Sequence, residues 1–299
     1  MDDPSHLPRF VIIGAMKCAT TTLHDQLARV PGVYMSNPKE PNFFSDDEAW
    51  ARGLGWYRGL FSSAPGGSVC GESSTHYTKL PDYPGTVERL AGVIPHARFI
   101  YVMRDPIDRL VSQYIHEWSV RRISVPIDEA VRRHPELIDY SRYAFQMKPW
   151  LERFGHDAVL PVFFERLTSH PQAEFERICR FVGVSVAGQW DTGHDRRNVS
   201  AARVRRQPIR DAVLSNPALT VVRRRLIPTS VRERIKRQWR MEHRPELSES
   251  VRRWCETRLD PDMAELGQLL GLEVRCEGFA DSVRRPEKSP DWAQRGAEA

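Results

Sequence analysis

Apolar and polar residues alternate along the chain with two different spacings. Short runs that are apolar throughout indicate buried strands, and longer stretches with apolar residues three and four positions apart indicate helices. Strands and helices alternate, which is typical of a parallel sheet flanked by helices. The predicted strands are Phe10–Ile13, Tyr34–Met35, Ser68–Glu72, Arg98–Met103 and Ala158–Phe164. The predicted helices are Thr20–Val30, Gly85–Val93, Pro106–Trp118, Pro126–Arg133, Tyr143–Phe154, Pro171–Val182 and Ser248–Leu270.

The first strand leads into a short loop with the features of an anion site. Phe10–Ile13 ends at Gly14, Lys17 lies in the loop, and Thr20–Thr22 begins the next helix. A strand, loop and helix in this order direct several unpaired backbone N–H groups at one point, beside the lysine. The spacing differs from a Walker A loop, in which the lysine stands at the helix entry. An ordinary turn with capping threonines is the alternative that this stretch alone leaves open.

A second strand end carries the groups for another anion site. Arg104 directly follows the fourth predicted strand, and Ser112 lies two turns into the next helix. Both can point into the crevice at the carboxyl ends of the strands, where open α/β sheets bind ligands. An arginine fork and a serine hydroxyl make a phosphate clamp. Arg109 is predicted to be structural, paired with Asp105 or Asp108.

Two anion sites on neighbouring strand ends, without a Walker lysine, resemble the sulfotransferases that use 3′-phosphoadenosine 5′-phosphosulfate (PAPS). Gly14–Thr21 is similar to the family's 5′-phosphosulfate loop, and Arg104–Tyr114 to its 3′-phosphate motif. The resemblance covers about residues 10–184 and implies a P-loop-kinase-like, three-layer α/β fold with a central parallel sheet flanked by helices. Segments that resemble the heparan-sulfate-type enzymes and their bacterial relatives are Lys39–Phe44, Gly53–Tyr57, Gly71–Tyr77 and Tyr143–Phe154.

The resemblance implies transfer of the sulfuryl group of PAPS to a hydroxyl, or less readily an amine, by direct in-line displacement. Lys17 would stabilise the oxygen that bridges phosphate and sulfate. No metal is expected, because Lys17 and Arg104 supply the positive charge that magnesium gives in kinases. The donor-binding residues would be Lys17, Cys18, Ala19, Thr20, Thr21, Thr22, Arg104 and Ser112, with Arg205 and Arg206 in a basic loop closing over the 3′-phosphate.

A base must take the proton of the acceptor, and Glu40 is the candidate. It lies in a turn bracketed by Pro38 and Pro41, which fixes the backbone and favours partial desolvation of the carboxylate. The matching glutamate is the base in the heparan-sulfate-type enzymes, and a surface ion pair with Lys39 is the structural alternative. His116 ranks below Glu40 as a base.

Two positions depart from the family pattern. Ser73 stands where the family has a lysine, which leaves a cationic role near the sulfate unfilled. Lys39 and Lys79 are candidates for that role, but each is expected to be solvated. Ala19 replaces a common glycine of the phosphate loop, which is compatible with the loop if its φ is negative.

The composition agrees with a soluble cytoplasmic enzyme. The 299 residues suit one large α/β domain or two small ones. The five cysteines are scattered without metal-ligand spacing, so reduced thiols are expected. The N-terminus lacks the pattern of a signal peptide, and no apolar run approaches membrane-spanning length.

The predicted organisation has three parts: an N-terminal extension over residues 1–8, a sulfotransferase domain over residues 9–280 and a disordered tail over residues 281–299. Arginine dominates residues 196–240. The segment of about residues 190–245 is interpreted as a helical lid over the nucleotide, with a solvated helical face as the alternative.

Two other functions stay open. A nucleotide-dependent phosphotransferase or kinase would need a magnesium-binding acidic strand end where Arg104 stands. A non-catalytic nucleic-acid-binding protein would use the arginine segment, which holds few aromatic residues and no DNA-binding motif. The predicted partner is a carbohydrate, lipid-linked or secondary-metabolite acceptor, with no nucleic acid and no stable membrane insertion. The sequence predicts neither the identity of the acceptor nor the oligomeric state.

Overall fold

A parallel sheet forms the centre of the molecule. The computed structural model describes residues 7–184, 188–193, 243–285, 287 and 289–293. In these ranges five strands form one sheet in the order β2-β3-β1-β4-β5, and every neighbouring pair is parallel. The strands are β1 Phe10–Gly14, β2 Val33–Met35, β3 Val69–Ser73, β4 Arg98–Met103 and β5 Val159–Phe163.

The strands are apolar throughout because both faces of the sheet are covered. β1 and β5 are buried along their whole length, and Arg98 is the one exposed residue of β4. A strand with two buried faces reads as a continuous hydrophobic run, which is the pattern that made these strands recognisable in the sequence. All five predicted strands are confirmed, with ends that differ by at most one residue.

Helices on both sides of the sheet complete three layers, so the predicted fold class is confirmed. The described helices are α1 Thr20–Leu27, α2 Asp47–Ala51, α3 Gly53–Gly59, α4 Thr86–Val93, α5 Pro106–Ser119, α6 Ile127–Arg133, α7 Glu136–Asp139, α8 Tyr143–Phe154, α9 Phe164–Ser169, α10 Pro171–Val182, α11 Glu249–Leu270 and α12 Phe279–Arg284. Short 3-10 helices span Thr75–Thr78 and His156–Ala158. The sequence did not predict α2, α3, α7, α9 or α12, because four to seven residues are too few to display a helical period.

The strand order positions the functional residues. β1 is central, with β3 on one side and β4 on the other. The chain moves from β1 toward one edge of the sheet and from β4 toward the other. A crevice therefore opens outside the carboxyl ends of β1 and β4, where doubly wound sheets bind ligands.

The predicted disordered tail is wrong for the part of residues 281–299 that the structure describes. α12 runs through Arg284 with Phe279 and Val283 buried. Trp292 is 7% exposed, and its indole N–H donates to the carbonyl of Val159 at 2.7 Å. Val283 and Trp292 are isolated apolar residues in a charged segment and are nevertheless buried, which composition alone does not reveal. The domain boundaries themselves stay a prediction.

The five cysteines are free and buried, as expected of reduced thiols. Among the described residues, no helix combines the length and the apolar character needed to cross a bilayer.

Gly14, the last residue of β1, is expected to tolerate no side chain. Its φ is 153°, and a Cβ there would lie 2.0 Å from the hydroxyl oxygen of Thr78, which donates to the carbonyl of Ile13 at 2.9 Å. Gly14→Ala should therefore lower the free energy of unfolding by about 1–3 kcal/mol, the usual effect of overpacking, measured by urea denaturation.

Gly92→Ala is the matched control. Gly92 lies on the exposed face of α4, and no atom lies within 4 Å of the point that an added Cβ would occupy. Alanine there should stabilise the protein by up to about 1 kcal/mol through helix propensity. Equal effects of the two substitutions would contradict the close approach at Gly14.

Candidate active site

The loop after β1 has the backbone geometry of an anion site. Lys17 and Ala19 adopt left-handed conformations, with φ of 72° and 65°. Such turns, followed by the first turn of a helix, direct unpaired N–H groups toward one point. Ala19 is the N-cap of α1 and no side chain caps the helix, so the capping role considered for the threonines is not observed. Thr20, Thr21 and Thr22 instead line the cavity above the loop.

Ala19 departs from the sequence prediction, which required a negative φ. Its φ of 65° and ψ of 21° lie in the region that favours glycine. The left-handed backbone at this position explains why the resembled family commonly has glycine here. In this chain alanine adopts the same left-handed backbone.

Cys18 does not join the site. Its side chain is fully buried below the loop, with its thiol 3.8 Å from the carbonyl of Met16. Its backbone N–H donates to the carbonyl of Ala15 at 3.3 Å. Burial raises the pKa of the thiol to about 12. Cys18 is therefore a packed, protonated residue, and the predicted use of its N–H by a phosphate lacks geometric support.

Arg104 leaves the carboxyl end of β4 and enters the same cavity. Its backbone is held by Tyr143, whose hydroxyl donates to the Arg104 carbonyl at 2.6 Å. The guanidinium lies over the ring of Phe164, 4.6 Å from its centroid, and donates to Asp108 at 3.0 Å. Its Nε is buried and has no hydrogen-bond partner among the described residues. Ser112, on α5, is 3% exposed and lines the cavity beside it.

Arg109 has the structural role predicted for it, but with other partners. It is fully buried and donates to the hydroxyl of Ser141 at 2.6 Å, to Gln113 at 2.8 Å and to the carbonyl of Leu137 at 2.8 Å. The predicted pairing with Asp105 or Asp108 is wrong. Arg109 points into the core, whereas Asp105 caps α5 and Asp108 faces the exposed side.

Arg244 is a member of the site that the sequence did not single out. It donates to the carboxylate of Asp108 at 2.9 Å and to its carbonyl at 3.2 Å, so Asp108 joins Arg244 to Arg104. The arginine-rich composition of the segment was the available signal. The two arginines predicted from that segment, Arg205 and Arg206, lie outside the described residues.

Glu40 reaches the cavity from the turn after β2. Its φ is 58°, and its backbone N–H donates to the carbonyl of Ser73 at 2.9 Å. One carboxylate oxygen accepts from Lys39 at 2.7 Å and the other from the hydroxyl of Thr75 at 3.3 Å. The structural alternative, an ion pair with Lys39, is therefore present, yet the carboxylate also lines the cavity.

The ionisation of Glu40 follows from these contacts. Burial by itself would raise the pKa of the carboxyl, but the charge and hydrogen bond of Lys39, with the charge of Lys79, lower it. The net direction is downward, so Glu40 is a carboxylate at neutral pH. A carboxylate at this place can accept a proton.

A buried network supports the turn that carries Glu40. Ser74 donates to the carboxylate of Glu72 at 2.7 Å and accepts from the backbone N–H of Asn42 at 3.1 Å. Tyr57, from α3, donates to the same carboxylate. Asn42 is itself left-handed, with φ of 51°. The segments of Glu40, Tyr57 and Glu72, noted in the sequence as separate similarities, therefore meet in one structure.

One cavity of about 810 Å³ joins the loop after β1, the end of β4 and Glu40. Its described lining is rich in charge. The cationic side chains are Lys17, Lys79, Arg104, Arg122 and Arg244, and the carboxylates are Glu40 and Glu117. The other lining residues are Met16, Ala19, Thr20, Thr21, Thr22, Thr75, His76, Ser112, His116, Val120 and Phe164.

Lys79 is buried, contrary to the expectation of a solvated lysine. It is 8% exposed and lines the cavity, whereas Lys39 is bound to Glu40. Ser73 is fully buried and lies outside the cavity lining, so it contributes no group to the site.

Two histidines also line the cavity. His116, the second candidate base, comes from the last turn of α5. His76 comes from the 3-10 helix after β3 and was not considered in the sequence. Burial lowers the pKa of His76 to about 4, so its ring is neutral at pH 7. Across the described ranges, no three His, Cys, Asp or Glu side chains cluster in a way that could hold a metal ion.

Ala19→Gly tests the geometry of the loop. Glycine removes the left-handed penalty of roughly 1–2 kcal/mol and gives back roughly 0.5–1 kcal/mol in chain entropy. We expect the free energy of unfolding to rise by up to about 1 kcal/mol, measured by urea denaturation. Ala49→Gly, inside α2, is the control and should cost about 1 kcal/mol. Losses of equal size would show that Ala19 carries no strain.

Comparison with known proteins finds similarity to sulfotransferases over part of the chain. The model of the sulfotransferase family matches residues 56–188. Heparan sulfate glucosamine 3-O-sulfotransferase 3B1 of mouse is 32% identical over 188 residues, which is 60% of this chain and 46% of that protein. Heparan sulfate glucosamine 3-O-sulfotransferase 6 of mouse is 30% identical over 189 residues, which is 59% and 52%. The chain thus spans about half the length of the curated relatives it matches.

Solved structures agree on the fold. A sulfotransferase from Alicyclobacillus acidocaldarius aligns with a TM-score of 0.63 at 23% identity, covering 89% of this chain and 96% of that one. A mouse sulfotransferase complexed with PAP aligns with a TM-score of 0.50 at 14% identity, covering 86% and 84%. The family model and the relatives show that this chain is similar to sulfotransferases, and the solved structures show the same fold.

Proposed function

We propose that this protein is an enzyme that transfers the sulfuryl group of PAPS to a hydroxyl, or less readily an amine, by in-line displacement. One observation carries the proposal: a single cavity contains the left-handed loop at Lys17, the Arg104–Ser112 pair and the carboxylate of Glu40. The loop and the Arg104–Ser112 pair would each bind a phosphate, and Glu40 would accept a proton. Sulfuryl transfer from a nucleotide needs these three functions.

The donor would lie along the carboxyl ends of β1 and β4. Its 5′-phosphate fits the first turn of α1, where the hydroxyls of Thr20, Thr21 and Thr22 add donors to the backbone N–H groups. Its 3′-phosphate fits the groups beside β4. The mouse sulfotransferase complexed with PAP, the nucleotide that remains after transfer, supports a nucleotide of this kind in this fold.

The 3′-phosphate site is built from two arginines on one acid. Asp108 accepts from Arg104 and from Arg244, which holds the two guanidinium groups side by side. Both line the cavity with the hydroxyl of Ser112. A phosphate dianion would offer these donors stronger acceptors than one shared carboxylate. We therefore add Arg244 to the proposed clamp. Arg205 and Arg206 stay a prediction.

The reaction would proceed between Lys17 and Glu40. Lys17 would stabilise the charge on the oxygen that leaves with the nucleotide. Glu40 would accept the proton of the attacking hydroxyl. Hydrogen bonds from Thr75 and Lys39 hold its carboxylate toward the cavity. Positioning and charge account for most of such a transfer, as in phosphoryl transfer.

The two alternatives have less support. A phosphotransferase would place an acidic magnesium ligand at the end of β4, where this chain has Arg104. A nucleic-acid-binding role would rest on the arginine segment, most of which lies outside the described residues, and would give no reason for the shared cavity.

The acceptor is proposed to be a carbohydrate hydroxyl before a lipid-linked or secondary-metabolite one. The relatives named above are heparan sulfate glucosamine 3-O-sulfotransferases. The cytoplasmic location is proposed on the five buried free cysteines. A Dictyostelium discoideum relative, 29% identical over 170 residues, is a membrane-associated sulfotransferase.

Binding of adenosine 3′,5′-bisphosphate (PAP) tests the donor site. Wild-type protein should be stabilised by PAP more than by ATP or NAD, by about 2.7 kcal/mol at 100 times its dissociation constant. Arg104→Ala should weaken PAP binding roughly tenfold to a hundredfold, because it removes charge-assisted hydrogen bonds to the 3′-phosphate. Isothermal titration calorimetry measures the dissociation constant of each nucleotide for the wild-type protein and for Arg104→Ala.

Adenosine 5′-phosphate is the control ligand because it lacks the 3′-phosphate. Its already weaker binding should change little in Arg104→Ala. Equal losses for both nucleotides would make Arg104 a general structural residue. Wild-type protein that prefers ATP and requires magnesium would favour the phosphotransferase.

Glu40→Gln should reduce turnover by roughly 10²-fold or more while PAP binding persists, because the amide keeps the shape but cannot accept the proton. Turnover is measured by transfer from labelled PAPS to a panel of hydroxylated acceptors. His76→Asn and His116→Asn are the comparison variants, since both histidines line the cavity. Near-normal turnover in Glu40→Gln, with loss in either histidine variant, would assign the base to that histidine.

A further inference from the structure

Lys79 is a buried lysine with no role in the proposed chemistry of Lys17 and Glu40. It follows the 3-10 helix Thr75–Thr78, is 8% exposed and lines the cavity. Among the described residues no hydrogen bond or ion pair joins its ammonium to the protein, and the nitrogen itself keeps access to the solvent of the cavity. Its Nζ lies over the ring of Tyr140, 5.6 Å from the ring centroid.

Burial of a lysine without a partner is unfavourable for the fold. Restricting the access of an ammonium to water is unfavourable unless a partner compensates, and an apolar residue of similar length would fill the space without that penalty. Burial lowers the pKa of Lys79 to about 8, against the opposing charges of Glu40 and Glu117. The side chain therefore stays largely cationic at neutral pH, although Arg122 and Arg109 add repulsion.

The backbone places Lys79 on the acceptor side of the cavity. The 3-10 helix before it also carries Thr75, which donates to Glu40, and His76, which lines the cavity. Lys79 is one of the charges that act on the Glu40 carboxylate. In an in-line transfer the leaving oxygen lies by Lys17 and the attacking oxygen by Glu40. The sulfur would then lie between them, in the cavity that Lys79 also lines.

The other cations of the site are committed elsewhere. Lys39 is bound to Glu40 at 2.7 Å, and Arg104 and Arg244 share Asp108. The side chain of Arg122 is 78% exposed and pairs with Glu117 at 3.6 Å. Among these lining cations, Lys79 combines deep burial of its side chain with an ammonium that makes no hydrogen bond or ion pair to a described protein group.

We propose that Lys79 is a further catalytic residue whose ammonium contacts the sulfuryl group of the donor and stabilises its oxygens during transfer. The proposal rests on the proposed function. In the step, the acceptor oxygen forms a bond to sulfur as the bond from sulfur to the 5′-phosphate oxygen breaks. The acceptor proton passes to Glu40, and PAP leaves with the electron pair of the broken bond. Lys79 gains and loses no proton; it holds positive charge beside the equatorial oxygens.

A comparison of two nucleotides isolates this contact, because PAPS carries the sulfuryl group and PAP does not. Calorimetric binding without an acceptor is measured for wild type, Lys79→Met and Lys79→Arg. Lys79→Met should weaken PAPS about tenfold and change PAP less than twofold. Lys79→Arg keeps the charge and should retain most of the affinity for PAPS. Lys148→Met, an exposed lysine at a separate cavity, is the matched control and should change neither nucleotide.

The outcomes separate the two proposals. Wild-type protein that binds neither nucleotide contradicts the proposed function. Wild-type protein that binds both, with Lys79→Met losing PAPS and PAP equally or losing neither, overturns the role of Lys79 alone. Removal of an unpaired buried charge is not expected to prevent folding. If Lys79→Met does not fold, the same comparison with Lys79→Gln decides: retention of PAPS affinity overturns the contact.

Discussion

The parallel direction of all five strands is the constraint on which the site depends. Parallel strands end at one edge of the sheet, so the turns that follow β1, β2, β3 and β4 open on the same side. Lys17 follows β1, Glu40 follows β2, Lys79 follows β3 and Arg104 follows β4. Residues far apart in sequence thereby share one cavity, and the apolar strands that cannot face water are what hold them together.

Several turns at this edge have unfavourable backbone conformations. Lys17, Ala19, Glu40 and Asn42 all have positive φ, although none is glycine. Such residues persist where the surrounding structure over-determines them, and they cluster at functional sites. Here the surroundings are the buried carboxylate of Glu72 with its hydroxyl partners, and the helix that begins after Ala19. The buried network around Glu72 therefore fixes the backbone of the turn that carries Glu40, so the core and the site are coupled.

Local pattern was sufficient to predict the sheet and the two turns that carry the proposed phosphate sites. A continuous apolar strand that ends in a charged residue is visible within ten residues of sequence, as at Arg104. The misses concern contacts across the chain. Lys79, after the 3-10 helix that follows β3, is buried. Two of the three partners of Arg109 lie 28 and 32 positions away, and Trp292 donates to the carbonyl of Val159. Short helices and the sign of φ at Ala19 leave no periodic signal either.

The charge arrangement also explains how a weak base could act at this site. Lys39 lowers the pKa of Glu40, which keeps the carboxylate ionised but reduces its affinity for a proton. A base with a pKa well above neutral pH would be mostly protonated, and only its small deprotonated fraction could accept. In a displacement the acceptor hydroxyl becomes acidic only as its oxygen bonds to sulfur, so the proton can move late to a weak carboxylate. In the proposed mechanism the cations that border the cavity would act on both partners: they would stabilise the departing nucleotide, and they would keep Glu40 charged until the proton arrives.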